Sequence, residues 1–370
     1  DDSDGWVWLQ RWDGPGFHPA ETVPPPPAGL RLGEPGVQLA DMDGDRLPDL
    51  VRILPSERRI LVAPSAGFGF FEDATEMIGV PEMSETERWE LADINGDGAA
   101  DLVRIGHREV GLWVNQLDGA YAPAGAHDWP ELEADEVVIL SDVDGSGTVD
   151  LLRVDTDGSQ PWGYFSPMVQ RPGLLQTQEN GLGYRVTMTY EPAAQLAAAD
   201  EAAGAPWSST PPTPASVLVA TTETDGAAWT RTTHYHPRDG WHDPVRGELR
   251  GFAEHTHTRD GDNYSRTTIT TRRYDLGLRD EALGLQLLED MTSDPDGALV
   301  REVHTLAAQT LAPGVRTARR IATDTFHLEG GPEDAGTRVR TEWDHDDAGN
   351  VLEERALGRI DQKSGADISG

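Results

Sequence analysis

Three aspartate-rich loops recur in this sequence, and their regularity constrains the fold more than any other feature. They read Asp41-Met42-Asp43-Gly44-Asp45-Arg46-Leu47-Pro48-Asp49, Asp93-Ile94-Asn95-Gly96-Asp97-Gly98-Ala99-Ala100-Asp101 and Asp142-Val143-Asp144-Gly145-Ser146-Gly147-Thr148-Val149-Asp150. Oxygen-bearing side chains fill positions one, three, five and nine of each loop. An apolar run follows each one: Leu50-Val51-Arg52-Ile53, Leu102-Val103-Arg104-Ile105 and Leu151-Leu152-Arg153-Val154. The loops begin at residues 41, 93 and 142. The unit therefore recurs about every 50 residues, a period that marks propellers and solenoids.

Hard cations such as Ca²⁺ take about six to eight oxygen ligands, and alternate positions of a tight loop aim several at one centre. Gly44, Gly96 and Gly145 sit where such a loop must turn sharply. The expected ligands are Asp41, Asp43, Asp45 and Asp49, with the backbone carbonyl of Leu47 at position seven. In the second loop they are Asp93, Asn95, Asp97 and Asp101, with the carbonyl of Ala99. Asp142, Asp144, Ser146 and Asp150 form a third set with one carboxylate fewer. The competing reading is a plain turn, since Asp and Gly suit turn geometry without any metal. Three copies in register favour the metal, and the third loop stays open between the two readings. None is an EF-hand: a strand-like run follows position nine, with no bidentate Glu at position twelve.

With these residues in view, the loops resemble the FG-GAP/VCBS type of β-propeller repeat. In that family the loop joins two strands of a blade and clips it with calcium. The expected fold class is all-β: a partial propeller over residues 1–165, a β-rich middle domain over 166–340, and the start of a further repeat region over 341–370. Short apolar runs support strands in the first part, among them Trp6-Val7-Trp8-Leu9, Val37-Gln38-Leu39-Ala40, Ile60-Leu61-Val62-Ala63, Trp89-Glu90-Leu91-Ala92, Val110 to Val114 and Val137 to Leu140. A propeller usually has at least four blades. Either residues upstream of residue 1 complete the ring, or blades without the motif share it.

Charge narrows the partners. The formal net charge is −35, with 65 acidic against 30 basic residues. Nucleic acid is an unsuitable partner, because phosphate contacts need clustered Lys and Arg. No stretch approaches the ~20 apolar residues of a membrane span. The chain has no cysteine, which excludes disulfides, thiolate metal sites and cysteine catalysis. That composition with calcium loops suits a secreted, extracellular protein. Asp1-Asp2-Ser3-Asp4-Gly5 is neither an initiator Met nor a signal peptide, and the chain reads as a segment of something longer.

From about residue 166 the character changes. Arg185-Val186-Thr187-Met188-Thr189-Tyr190, Val217 to Thr222 and Thr267 to Tyr274 are rich in β-branched residues. Ala193 to Ala203, after Pro192, is the one candidate helix, and Pro206 to Pro214 reads as a dividing loop. Asn180-Gly181-Leu182-Gly183-Tyr184 leading into Arg185 to Tyr190 resembles the junction after the propeller in the B-component of insecticidal toxin complexes. SpvB-type and Rhs-type toxin shells are similar. The likeness continues through Thr232-Thr233-His234-Tyr235-His236, the turn Asp239-Gly240 and Arg250-Gly251-Phe252-Ala253. The family has Gly where this chain has Ala253. Near the end, His345-Asp346-Asp347-Ala348-Gly349-Asn350 resembles an Rhs/YD repeat, with His345 in place of the family's Tyr; an ordinary turn explains it as well.

The resemblance implies a scaffold and no enzyme. In the family the propeller closes one end of a hollow β-shell built by Rhs repeats, and the shell holds a toxic C-terminal polypeptide. The propeller also docks on a pore-forming translocation component and acts as a gate. The implied partners are therefore that component and the encapsulated polypeptide. The alternative is a calcium-stabilised adhesion or carbohydrate-binding propeller, and a hydrolase is a third reading.

Little in the sequence supports the hydrolase. No His-Glu-x-x-His, Gly-x-Ser-x-Gly or phosphate-cradling loop is present. His234 with His236 and His255 with His257 are two His-x-His pairs, with His242 between them. On a strand each pair would share a face, but the spacing fixes no third ligand for Zn²⁺. Arg250, Gly251 and Phe252 read as structural, with Phe252 in the core. Arg52, Arg104 and Arg153 recur three residues past each loop, where they would meet loop carboxylates or a solvated strand face.

Overall fold

In the computed structural model the described residues are 7–8, 21–128, 131–132, 136–159, 161–168, 173–212, 214–227, 229–262, 265–331 and 336–361. Contacts divide the chain into two units, Asp1–Leu174 and Leu175–Gly370. The first therefore runs past residue 165. No helix among the described residues is long and apolar enough to cross a membrane.

The first unit is a series of antiparallel sheets, each built around one loop and the strand after it. Sheet one orders Val37–Ala40, Asp49–Leu54, Arg59–Ala63 and Thr75–Glu76. Sheet two orders Arg88–Ala92, Asp101–Ile105, Glu109–Asn115 and Tyr121–Asp128. Sheet three, among the described residues, orders Glu136–Ser141, Asp150–Asp155 and Gly163–Phe165. In each sheet the aspartate-rich loop is the hairpin between the first two strands, so its position-nine aspartate is also the first residue of the second strand.

Alternation of side chains across each strand then decides which core it enters. Val51 and Ile53 of sheet one pack with Trp89 and Leu102 of sheet two. Val103 and Ile105 of sheet two pack with Val138 and Leu151 of sheet three. Leu50, on the other side of sheet one, packs with Leu30 and Ala63. These leucines and valines at the start of the post-loop strands are almost wholly buried. Burying each contributes about 1.5–3 kcal/mol relative to leaving it exposed.

The second unit holds one sheet of eleven described strands, from Thr177–Glu179 to Val351–Ile360. Every strand pairs antiparallel with the one before it in sequence. The helix expected near Ala193 spans Ala193–Ala202 and lies in the connection between Arg185–Pro192 and Ser216–Thr224, together with the proline-rich loop. Residue 341 falls inside the strand Thr337–His345, which is bonded to Val315–His327 on one side and Val351–Ile360 on the other. The turn at Asp346 to Asn350 joins the last two strands: the Asp346 carboxylate accepts from the backbone N–H and the Nδ2 of Asn350, both at 2.8 Å.

Candidate metal centre

The three loops fold alike. The position-one aspartate caps its own loop from inside. Asp41 accepts the N–H groups of Gly44 and Arg46, both at 2.7 Å. Asp93 accepts those of Gly96, Asp97 and Gly98 at 2.6–3.0 Å. Asp142 accepts those of Gly145, Ser146 and Gly147 at 2.8–3.0 Å. Gly44, Gly96 and Gly145 adopt φ of 80°, 78° and 75°, a backbone shape that favours glycine. Positions three and five each accept an N–H two residues on: Asp43 from Asp45, Asn95 from Asp97, Asp144 from Ser146, Asp45 from Leu47 and Asp97 from Ala99. Ser146 shares a hydrogen bond of 2.8 Å with Thr148.

Position nine ties the loop to the sheet. Asp49 accepts the N–H of Met42 at 2.8 Å on one oxygen and that of Ser65 at 2.7 Å on the other. Asp101 accepts Ile94 at 3.1 Å and Asn115 at 2.8 Å. Asp150 accepts the N–H of Val143 at 2.8 Å and the hydroxyl of Ser166 at 2.5 Å. All three are buried. Burial pushes the Asp101 carboxyl up to about 7 and raises Asp49 and Asp93 above the usual carboxylate range. Carboxylates held together in a place poor in water favour the proton or a cation.

Ligand oxygens converge in two loops. One carboxylate oxygen each of Asp41, Asp43 and Asp49 lie within 4.8 Å of one another, and so do those of Asp142, Asp144 and Asp150. Among the described residues no such trio of carboxylates forms in loop two, where Asn95 Nδ2 instead donates to Asp97 at 2.9 Å. Asp45 and Asp97 stand at the loop tips, and Leu47 is exposed where Ala99 is buried. The donor set, oxygen throughout and dominated by carboxylates, fits a hard cation such as Ca²⁺.

Several residues take other places than the sequence alone assigned. Arg52, Arg104 and Arg153 meet glutamates and not the loop carboxylates: Arg52 bonds Glu34 at 3.1 Å, Arg104 bonds Glu109, and Arg153 grips Glu136 at 2.5 and 2.6 Å. The alternation that carries Val51 and Val103 inward sends each arginine to the opposite face, over the neighbouring strand. The two histidine pairs cannot join, because Tyr235 lies opposite His257 and Pro237 opposite His255. His255 and His257 thus share Tyr235's face, while His234 and His236 take the other, where His236 bonds Asp200 at 2.9 Å. Phe252 is half-buried and not in a core: it packs edge-on against Trp207 at 6.1 Å. Gly240 leaves it room, since a Cβ there would lie 2.8 Å from its ring. Arg250 pairs with Asp243.

Asn115 carries no signal in the motif, fourteen residues after Asp101, yet it is buried between two loops. Its Nδ2 donates to the carbonyl oxygen of Met42 at 2.8 Å and that of Ala100 at 3.3 Å. Only the three-dimensional stacking of sheets one and two brings it there.

Loop-bearing sheets followed by a long antiparallel sheet make this an all-β fold. Residues 117–277, a stretch short of half the chain, match the family model described as the insecticide toxin TcdB middle/N-terminal region. The fold is that of solved toxin-complex structures. A Tc holotoxin pore from Photorhabdus luminescens superposes with a TM-score of 0.78 at 17% identity, covering 95% of this chain and 20% of that one. Two crystal structures of TcdB2-TccC3, one without its hypervariable C-terminal region, give 0.74 and 0.76, both at 18% identity, over 86% and 91% of this chain and 19% of theirs. The chain thus spans about a fifth of the chains it resembles. A search of curated proteins finds no match.

Proposed function

We propose that this chain is a non-enzymatic module of a secreted toxin-complex shell, of the B-component and Rhs type, that encloses a toxic C-terminal polypeptide. In this reading the first unit supplies blades of a calcium-clipped propeller that gates the shell and docks on a pore-forming translocation component. The second unit supplies shell wall. The observation that carries the proposal is the uninterrupted sheet of eleven described strands, in the fold of the Tc structures and under a toxin-family match that runs from Leu117 to Gly277.

The polar character of that sheet supports a wall in preference to a packed domain. Most of its residues are only partly buried, and Thr, Arg, Asp and Glu pair across neighbouring strands, as at Arg272 with Asp290 and Arg338 with Asp324. A sheet with water on both sides needs such ladders. The test is docking. The purified chain, with calcium, is passed over an immobilised toxin-complex translocation pore, with a loop-disabled Asp93→Ala, Asp97→Ala variant beside it. Saturable binding that the variant weakens is the expected result, and absence of binding at micromolar concentrations rejects the docking role.

A further inference from the structure

Loops one and two are joined by a short relay of hydrogen bonds. Asp49 of loop one accepts the N–H of Met42, the Met42 carbonyl accepts the side-chain amide of Asn115, and the N–H of Asn115 reaches Asp101 of loop two. The position-nine carboxylates of two neighbouring loops are therefore connected through one residue, Met42, and one buried asparagine. A second link runs beside it. Ala100, between positions seven and nine of loop two, donates its N–H at 2.7 Å to the carbonyl oxygen of Asp41, the residue at position one of loop one.

Loops two and three share a backbone bond of the same kind. Val149 donates to the carbonyl of Asp93 at 3.2 Å. Asp150 accepts from the side-chain hydroxyl of Ser166, where Asp101 accepts from the backbone N–H of Asn115.

We propose that loops one and two are a coupled pair, in which a cation bound in either raises the affinity of the other, and that Asn115 is the positioning residue that carries the coupling. The inference rests on the calcium reading of the loops. Binding in loop one fixes Asp41 and Asp49, which fixes the Asp41 and Met42 carbonyls. These in turn hold Ala100 and, through Asn115, Asp101, so loop two binds with less ordering left to do. The effect is reciprocal by linkage, and couplings of this kind change affinity about 5- to 150-fold.

The test is a Ca²⁺ titration of the full 370-residue chain by calorimetry, with hydrogen exchange of the loop-two amides followed in calcium and in chelator. Loop one is disabled by Asp43→Ala with Asp45→Ala. The relay is cut by Asn115→Ala. Should that variant not fold, Ala100→Pro removes the second link, and loop one already carries Pro48 at the same position. Disabling loop one is expected to weaken calcium at loop two several-fold and speed its exchange, while loop three changes less. In the Asn115→Ala background the same change should leave loop two nearly as it was. In the Ala100→Pro background, where the Asn115 relay is intact, it should still weaken loop two, though by less than in the parent. Loop-two affinity and exchange untouched by loss of loop one would overturn the coupling and leave the calcium reading standing. No calcium response in any loop would overturn both.

Discussion

Arg319 reaches under the turn that joins the last two described strands and donates from its guanidinium to the carbonyl oxygens of Asp346 and Asp347. Arg319 is only 9% exposed, while Asp346 is half-buried and Asp347 stands in solvent. Arg319→Ala should cost about 0.5–1.5 kcal/mol for each hydrogen bond lost, since water can reach the freed carbonyls. Exchange at Asp346 to Asn350 should rise in step, as mass spectrometry of that peptide would show. Gly349→Ala tests the same contact from the other side. Gly349 sits at φ +99°, and a Cβ there would lie 3.1 Å from Arg319. Strain alone should cost about 1–2 kcal/mol.

Asp101 is the anchor of loop two. Asp101→Ala strips the acceptor from the N–H groups of both Ile94 and Asn115. Each unmet buried donor costs about 1–3 kcal/mol, which lowers the melting temperature of a unit of this size by about 2–4 °C per kcal/mol. Differential scanning calorimetry of the variant checks this. An unchanged transition would mean that water replaces the carboxylate.

Calcium should raise the melting temperature of the first unit and a chelator should lower it. A ligand that binds only the folded state adds about 2.7 kcal/mol at 100 times its dissociation constant. The Asp93→Ala, Asp97→Ala double variant should lose part of that gain. A chain indifferent to both calcium and chelator would leave the loops as self-capped turns, a role their internal hydrogen bonds already allow.

The second unit should weaken on mild acidification. Burial holds His255 and His257 below the ordinary histidine value of 6.5. A folded-state value below the unfolded one means the stability is present above pH 6.5 and is lost as pH falls through the folded-state values. Urea unfolding at pH 7.5 and pH 5.5 should show the drop, and a His255→Asn, His257→Asn variant should flatten it. Equal slopes in parent and variant would assign the pH dependence elsewhere.

The parts of this fold that were legible in the sequence are those set by local chemistry. Asp and Gly at fixed positions announced the three hairpin loops, β-branched runs announced the strands, and the alanine-rich stretch after Pro192 announced the helix at Ala193–Ala202. What escaped depends on which strands become neighbours. Asn115 matters because sheet two lies against loop one. The partners of Arg52, Arg104 and Arg153 are glutamates from strands or turns 5 to 18 residues away. The separation of the histidine pairs follows from the register that sets Tyr235 opposite His257. That parity is decided by the hairpin, since a one-residue slip would reverse every face.

The long sheet of the second unit has a bearing on how such proteins lengthen over evolutionary time. Each strand bonds only to its predecessor and successor in sequence, as in quasi-one-dimensional repeat proteins. Duplicating or deleting one hairpin leaves every other pairing intact, because no strand far along the chain must find a new mate. Low sequence separation of the pairings also lets hairpins zip in order as the chain leaves the ribosome. Growth by whole hairpins is then the simplest route to a longer sheet, and the turn clamped by Arg319 shows the form such a joint takes.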